Sequence, residues 1–296
     1  MTIIENELFR KIKPWECLGQ AWSKKGKELR APNILAMISR FNEVSNWVAS
    51  EICKTENLKK RVKLVQRFIE IAEKLRGLNN FNAIMEIVSG INTSAVHRLK
   101  QTFQALPQKV TASFQELSDL VQRTKNYELL RSTIHGCSPP CIPYLGIYLT
   151  DLTFIEDGCK DVTDNLINFA KRKQVAAVIR EITQYQSPYL LEPVGLIQEF
   201  LKKLQFYDEE VNYRLSIYIE QRPGQPRADK PPELIAIEQK QAKMANMVNS
   251  NTTNSNSASD DMEFELEFVS GYMFHSKDES YNIKIEDKIK GGVLEK

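Results

Sequence analysis

Glu156 and Asp157 are the side chains of this sequence best placed to present charge, because they close an apolar run and stand just before Gly158. The glycine suits a left-handed helix cap, which would put both acids in the last turn of a helix. Carboxylates there oppose the negative end of the helix dipole, by roughly 0.3 to 1 kcal/mol each when exposed. Something else must favour them. One reading is a local bond to a lysine or to loop amides; the other is presentation to a positively charged or amide-rich site on another molecule. The remaining reactive side chains form no constellation. His97, His135 and His275 are scattered, and His97 on a helix in SAVHRL reads as structural. Five cysteines, Cys17, Cys53, Cys137, Cys141 and Cys159, include no C-x-x-C pair and form no disulfide framework. Cys137 and Cys141 have only His135 nearby and no second ligand pair, so no zinc, and no other metal, is expected. Phosphate loop, G-x-G-x-x-G, H-E-x-x-H and G-x-S-x-G motifs are all missing, which leaves hydrolase and transferase readings without support and implies no cofactor.

The acids are positioned by what precedes them. Pro139, Pro140 and Pro143 remove backbone donors and fix φ, so regular structure restarts after Pro143 and a helix is expected from about Tyr144. Tyr144, Leu145, Ile147, Tyr148, Leu149, Leu152, Phe154 and Ile155 then cover nearly the whole circumference, more than one stripe requires. Either this helix lies deep in the domain, or one apolar side is kept for a partner.

Apolar residues spaced three and four apart run to about residue 220 without strand alternation, which predicts an all-α domain. Ile34, Ile38, Phe41, Ser45, Val48 and Ile52 share one helix face after Pro32. Leu58, Val62, Val65, Ile69, Ala72 and Leu75 make a second, and Val175, Val178, Ile179 and Ile182 a third, preceded by Lys171, Arg172 and Lys173, which read as a solvated face. Breaks are expected at Gly77 and residues 79–82, at Pro107, across 137–143 and at Ser187-Pro188. After residue 222 the sequence turns Pro-rich and then Asn/Ser-rich, so residues 223–262 read as a disordered linker. In 263–296, Phe264, Leu266 and Phe268 alternate with acids, and Ile283 and Ile285 with Lys284 and Glu286, which suggests two short strands forming a β-hairpin. Residues 223–296 hold 9 basic and 13 acidic residues, against 31 and 25 in 1–222. The net charge of only +2 argues against nucleic acid as the partner. With no stretch of about 20 apolar residues and no signal-peptide core at the start, a cytoplasmic location is expected.

Five segments in order, ELFRKIKPWECLGQAWSKK, APNILAMISRFNEVSNWVASEI, NNFNAIMEIVSGINTSAVHRLKQTF, PPCIPYLGIYLTDLTFIEDG and LINFAKRKQVAAVIREITQYQ, resemble the catalytic domain of Ras-family guanine nucleotide exchange factors across residues 3–222. The resemblance implies an all-helical bowl whose protruding helical hairpin wedges into a Ras-like GTPase, of Ras or Rap type, and prefers it nucleotide-free. The arms would be residues 144–158 and about 163–184. On the first arm Thr153 matches a position that intrudes at the Mg²⁺ site, and Asp157 an acid that competes with phosphate, with Glu156 able to share the role. Both matches depart from the son-of-sevenless type of member, which has a longer aliphatic group and a glutamate. Tyr144, Tyr127, Met85 and Asn92 match GTPase contacts, while Ser39, beside Arg40, stands where such a member has an arginine. From the residues alone, Tyr144 and Tyr127 fit a core equally well, and Asn92 a helix cap at Thr93. Such exchange factors break no covalent bond and reach membranes only indirectly, through a lipid-anchored GTPase or a recruiting partner. The family's N-terminal bracing module is not seen before the matching region, so the chain reads as a fragment or as a short member braced by its own tail. The competing reading is a helical binding module that holds a GTPase without accelerating release.

Overall fold

The computed structural model describes residues 1–221, 224 and 229–251 of this chain, which divides into two compact units, Met1–Asp229 and Lys230–Lys296. Among the described residues the first unit is all-α apart from one tiny hairpin. Its elements are α1 (Thr2–Phe9), a 3-10 segment (Pro14–Gln20), α2 (Lys27–Arg30), α3 (Pro32–Cys53), α4 (Leu58–Gly77), α5 (Phe81–Ile91), α6 (Ser94–His97), α7 (Lys100–Gln104), α8 (Gln108–Leu120) and α9 (Glu128–Gly136). They continue with α10 (Leu145–Gly158), β1 (Val162–Thr163), β2 (Leu166–Ile167), α11 (Phe169–Gln184), α12 (Gly195–Lys202) and α13 (Glu209–Ile219). Among the described residues no helix is long and apolar enough to cross a membrane.

In the second unit the described residues form α14 (Pro232–Asn251). A helix here differs from the disordered linker expected across 223–262. Pro232 occupies the first helical position, where its missing N–H costs nothing, and the following stretch is rich in Ala, Glu, Gln, Lys and Met. The strand pair expected within 263–296 lies outside the described residues.

The core is organised around α5, ten of whose eleven residues are buried. Against it lies α3, and the two backbones touch at Gly90. A Cβ there would stand 2.6 Å from the Ser45 carbonyl oxygen and 2.8 Å from Val48 Cβ, so only glycine fits. Ser45, placed by its spacing on the apolar face of α3, is buried because its hydroxyl donates to the Glu86 carbonyl at 3.0 Å. Trp47 then packs edge-on against Phe68 of α4 at 5.2 Å. The breaks expected near 77–82 and at Ser187-Pro188 fall between helices, and Asn57, Asn80, Asn168 and Asp208 each cap a helix by accepting a backbone N–H.

One polar network closes the domain from its far end. The Glu220 carboxylate accepts from Arg61 Nη2 at 3.1 Å, from Thr102 N at 3.0 Å and Oγ1 at 2.5 Å, and from Gln101 N at 2.9 Å. Arg61, 1% exposed, spends its other donors on Thr102 Oγ1 and on the Thr55 and Glu56 carbonyls. Through the Arg61–Glu220 pair and the groups around it, α4, α7 and the end of α13 are joined by directional bonds.

Candidate functional site

Helix α10 starts from a fixed point. Ile142, fully buried, donates its N–H to the Asn79 carbonyl at 3.0 Å, and its own carbonyl accepts from Phe81 N and Asn82 N at 2.9 and 3.2 Å. The segment after the prolines is thus pinned to the first turn of α5. From there Leu145, Ile147, Tyr148, Leu149 and Leu152 turn into the core, while Gly146, Thr150, Thr153 and Asp157 fall on the outward side at helical spacing. Phe154 beside them is 66% exposed. The two alternatives left by the sequence are therefore separated: one face of α10 is core and the other carries an uncovered aromatic.

Tyr144 caps this stripe. Its ring packs at 5.4 Å on Phe41 of α3 and edge-on at 5.9 Å on Tyr127, and burial among these rings raises its phenol above the usual range. The phenol lies over Gly146, where a Cβ would meet it at 2.4 Å. Tyr127 ends a run of three left-handed residues, Lys125, Asn126 and Tyr127, a conformation that non-glycine residues keep only under constraint. Arg131 supplies the constraint: its guanidinium donates to both oxygens of Asp151 on α10 at 2.8 Å, and its Nε to the Asn126 carbonyl at 2.8 Å. Tyr144, Gly146, Leu149, Thr150, Thr153 and Phe154, with Trp22, line a shallow groove of about 310 Å³.

At the far end of the stripe the two acids behave differently. Glu156 bonds Lys171 Nζ of α11 at 2.6 Å, and Lys171, 2% exposed, also reaches Asp161 at 3.0 Å, which in turn meets Arg172 at 2.9 Å. The ammonium is held above its usual range, chiefly by the bond to Glu156 and against the cost of its burial. The Asp161 carboxyl is held below its range, chiefly by Lys171. The expected solvated face at 171–173 is corrected accordingly: its first lysine is a buried tie between the hairpin arms. Asp157, by contrast, is exposed, and its carboxylate accepts a 2.9 Å bond from Gln20. Thr153 donates its hydroxyl to the Leu149 carbonyl at 2.8 Å, which leaves a methyl as its free group. Gly158 does not adopt the left-handed cap; the helix ends with Cys159 in extended conformation.

The second arm begins at Phe169, not near residue 163. Asp164 and Asn165 are both left-handed, and Val162 pairs with Ile167 and Thr163 with Leu166, so a two-residue hairpin turn occupies the tip. Val162, Leu166, Ile167 and Phe169 there are all more than half exposed.

The site residues expected from the sequence divide. Tyr127, Tyr144, Thr153 and Asp157 join one continuous surface. Glu156 points to Lys171. Met85 is only 7% exposed within α5, and Asn92, exposed, follows the other end of that helix, about 16 Å along it from Phe81. Asn92 ends α5; the cap of α6 is Thr93. Arg40 cannot stand in for an arginine at the position of Ser39, since it is buried and donates to the Leu201 carbonyl at 2.6 Å. Sequence reasoning missed Gln20, Trp22, Phe41, Gly146 and the Arg131–Asp151 clasp. Only Gly146, a glycine in the first turn of an otherwise bulky helix, offered a signal.

Comparison with known proteins gives the site its context. A family model described as the RasGEF domain matches residues 1–173. The chain is 46% identical over 222 residues to Ras guanine nucleotide exchange factor Y of Dictyostelium discoideum, covering 74% of this chain and 15% of that protein. It is 40% identical to Ras guanine nucleotide exchange factor E of the same organism, over 74% of this chain and 26% of the relative. Human Ras-specific guanine nucleotide-releasing factor 1 is 39% identical over 74% of this chain and 18% of its own length. The match thus spans about a quarter or less of each of these relatives.

Proposed function

This chain belongs to the RasGEF family, and from that premise we propose that it accelerates GDP release from a Ras-family small GTPase, of Ras or Rap type, by inserting the α10–α11 hairpin between the switch regions. A Ras-like protein holds its nucleotide through backbone amides, a phosphate-loop lysine and Mg²⁺, so spontaneous release is slow. A partner that binds the nucleotide-free form better than the loaded form weakens nucleotide binding by the same factor. No covalent bond is made or broken, and the more abundant nucleotide, GTP in a cell, refills the site.

The outward face of α10 carries this reading. Tyr144 and Tyr127 form an aromatic platform for an apolar switch segment, and the Thr153 methyl advances toward the metal position; Asn92 and the small exposed part of Met85 are separate candidate contacts on α5. Asp157, exposed and bonded by the Gln20 amide, competes with phosphate for the phosphate loop; Glu156, paired with Lys171, holds the hairpin together instead. The neighbouring helices keep α10 from yielding when it is pressed against the GTPase. Because such GTPases are commonly lipid-anchored, a cytoplasmic chain would reach the membrane through its substrate or a recruiting partner.

The test is release of a fluorescent GDP analogue from a panel of Ras and Rap proteins in excess GTP, with and without catalytic amounts of this chain. Acceleration of at least one member is expected. Tight binding to a nucleotide-free GTPase without acceleration would instead identify a binding module, the reading favoured by the short acid at 157 and the threonine at 153.

A further inference from the structure

From outside the hairpin, the side chain of Gln20 bonds the working end of α10. Gln20 precedes Thr153 by 133 residues and Asp157 by 137, yet its Nε2 donates to Asp157 Oδ1 at 2.9 Å and approaches the Thr153 carbonyl at 3.5 Å. One carboxamide therefore touches both residues assigned above to the nucleotide site. Its backbone is left-handed at φ 57°, directly after Gly19 at φ 56°, a conformation that a residue with a Cβ keeps only when its surroundings impose it. The imposition is visible. Glu16, 1% exposed, accepts from Lys13 N, Asn33 N, Asn33 Nδ2 and Ile34 N at 2.7 to 3.2 Å, which rivets the 3-10 segment to the first turn of α3. Cys17 and Ala21, 2% and 1% exposed, bury the segment on either side of the turn.

We propose that Gln20 is a positioning residue for exchange, holding the Asp157 carboxylate in one rotamer and tying the last turn of α10 to the scaffold. This rests on the reading of Thr153 and Asp157 as the groups that enter the nucleotide site. An exposed aspartate at a helix end otherwise samples several staggered rotamers. A neutral amide selects one without cancelling its charge, so the acid stays available to a stronger donor. Glu156 shows the contrast: a lysine holds it, and its charge is already spent.

The test uses the full chain with Gln20→Gly, Gln20→Ala and Gln20→Glu. Glycine suits the left-handed backbone, so this variant loses the carboxamide without strain and folds even if the alanine variant does not. Hydrogen–deuterium exchange of the amides at 153–158 should rise several-fold in Gln20→Gly at an unchanged melting temperature. Catalysed GDP release should fall roughly tenfold, as for loss of one hydrogen bond to a charged group. Gln20→Glu, which keeps the size but repels Asp157, should lose as much. Adding Gln20→Gly to Asp157→Ala should bring no further loss. Unchanged amide protection, or an equal loss with and without Asp157, would overturn the proposal. If the wild-type chain accelerates no GTPase, the exchange reading fails, while the amide-protection arm still decides whether Gln20 holds the end of α10.

Discussion

Gly146→Ala should separate folding from function, because a gain in helix propensity offsets part of its cost to the fold and nothing offsets its cost to exchange. An alanine in the first turn of α10 gains helix propensity, up to about 1 kcal/mol over glycine. Its Cβ, however, would meet Cζ and Oη of Tyr144 at 2.4 Å, and ordinary contact lies near 3.4 Å or beyond, so the phenol must move by about 1 Å. The ring cannot slide sideways without leaving Phe41 or Tyr127, each contact being worth about 0.5 to 1.5 kcal/mol. Displacing an aromatic anchor at the centre of an interface costs about 2 kcal/mol of binding, or roughly 30-fold in kcat/KM for exchange. The assay pairs thermal unfolding with catalysed release of fluorescent GDP. The propensity gain offsets part of the lost ring packing, so the melting temperature should change by only a few degrees while exchange falls much further. An exchange rate equal to wild type would refute the placement of the Tyr144 ring in the GTPase contact.

Other parts of the structure make equally direct predictions. Burial pushes the Glu86 carboxyl well above its usual range, with buried Glu5 beside it adding to the rise, so the folded state binds protons more tightly and stability falls as pH climbs past the ordinary carboxylate range. Glu86→Gln should therefore raise the melting temperature at pH 8, with the gain vanishing toward pH 4 in a pH series of unfolding curves. Glu220→Ala strips a buried arginine of its carboxylate and should cost about 3 to 5 kcal/mol in denaturant unfolding. Lys171→Ala should loosen the hairpin, read as faster amide exchange in α10 and α11 with the core unchanged. The tie itself has a pH window: Asp161 is depressed and loses its contribution as pH falls below about 4, and Lys171 is raised and loses its own as pH climbs above about 10.4.

What the sequence made legible was set by local rules. Prolines 139, 140 and 143 mark the start of α10 correctly, and the three-and-four spacing finds α3, α4 and α11, because both are properties of short windows. The start of the second arm was misplaced although the cue was present: Asp164-Asn165 between Val162-Thr163 and Leu166-Ile167 is a two-residue turn that tolerates left-handed backbone. Lys171 looked solvated because its partners, Glu156 and Asp161, come from fifteen and ten residues earlier and meet it only once the hairpin closes. Gln20, Trp22 and Phe41 lie more than a hundred residues from α10, and no local pattern brings them to it. The paired acids at the helix end and Tyr144 at its start were legible from the residues, while the choice of Asp157 over Glu156 and the pairing of Tyr144 with Tyr127 came from family resemblance.

The most direct test compares Asp157→Ala and the double variant Thr153→Ala/Asp157→Ala with the wild-type chain. Catalysed GDP release and affinity for the nucleotide-free GTPase are to be measured on the same preparations. A wedge requires release to fall by one to two orders of magnitude, about 1.4 kcal/mol per tenfold, with affinity changed only a few-fold. Release that stays at the wild-type rate, or that falls only in proportion to affinity, would contradict the claim that this helix end acts on the nucleotide site.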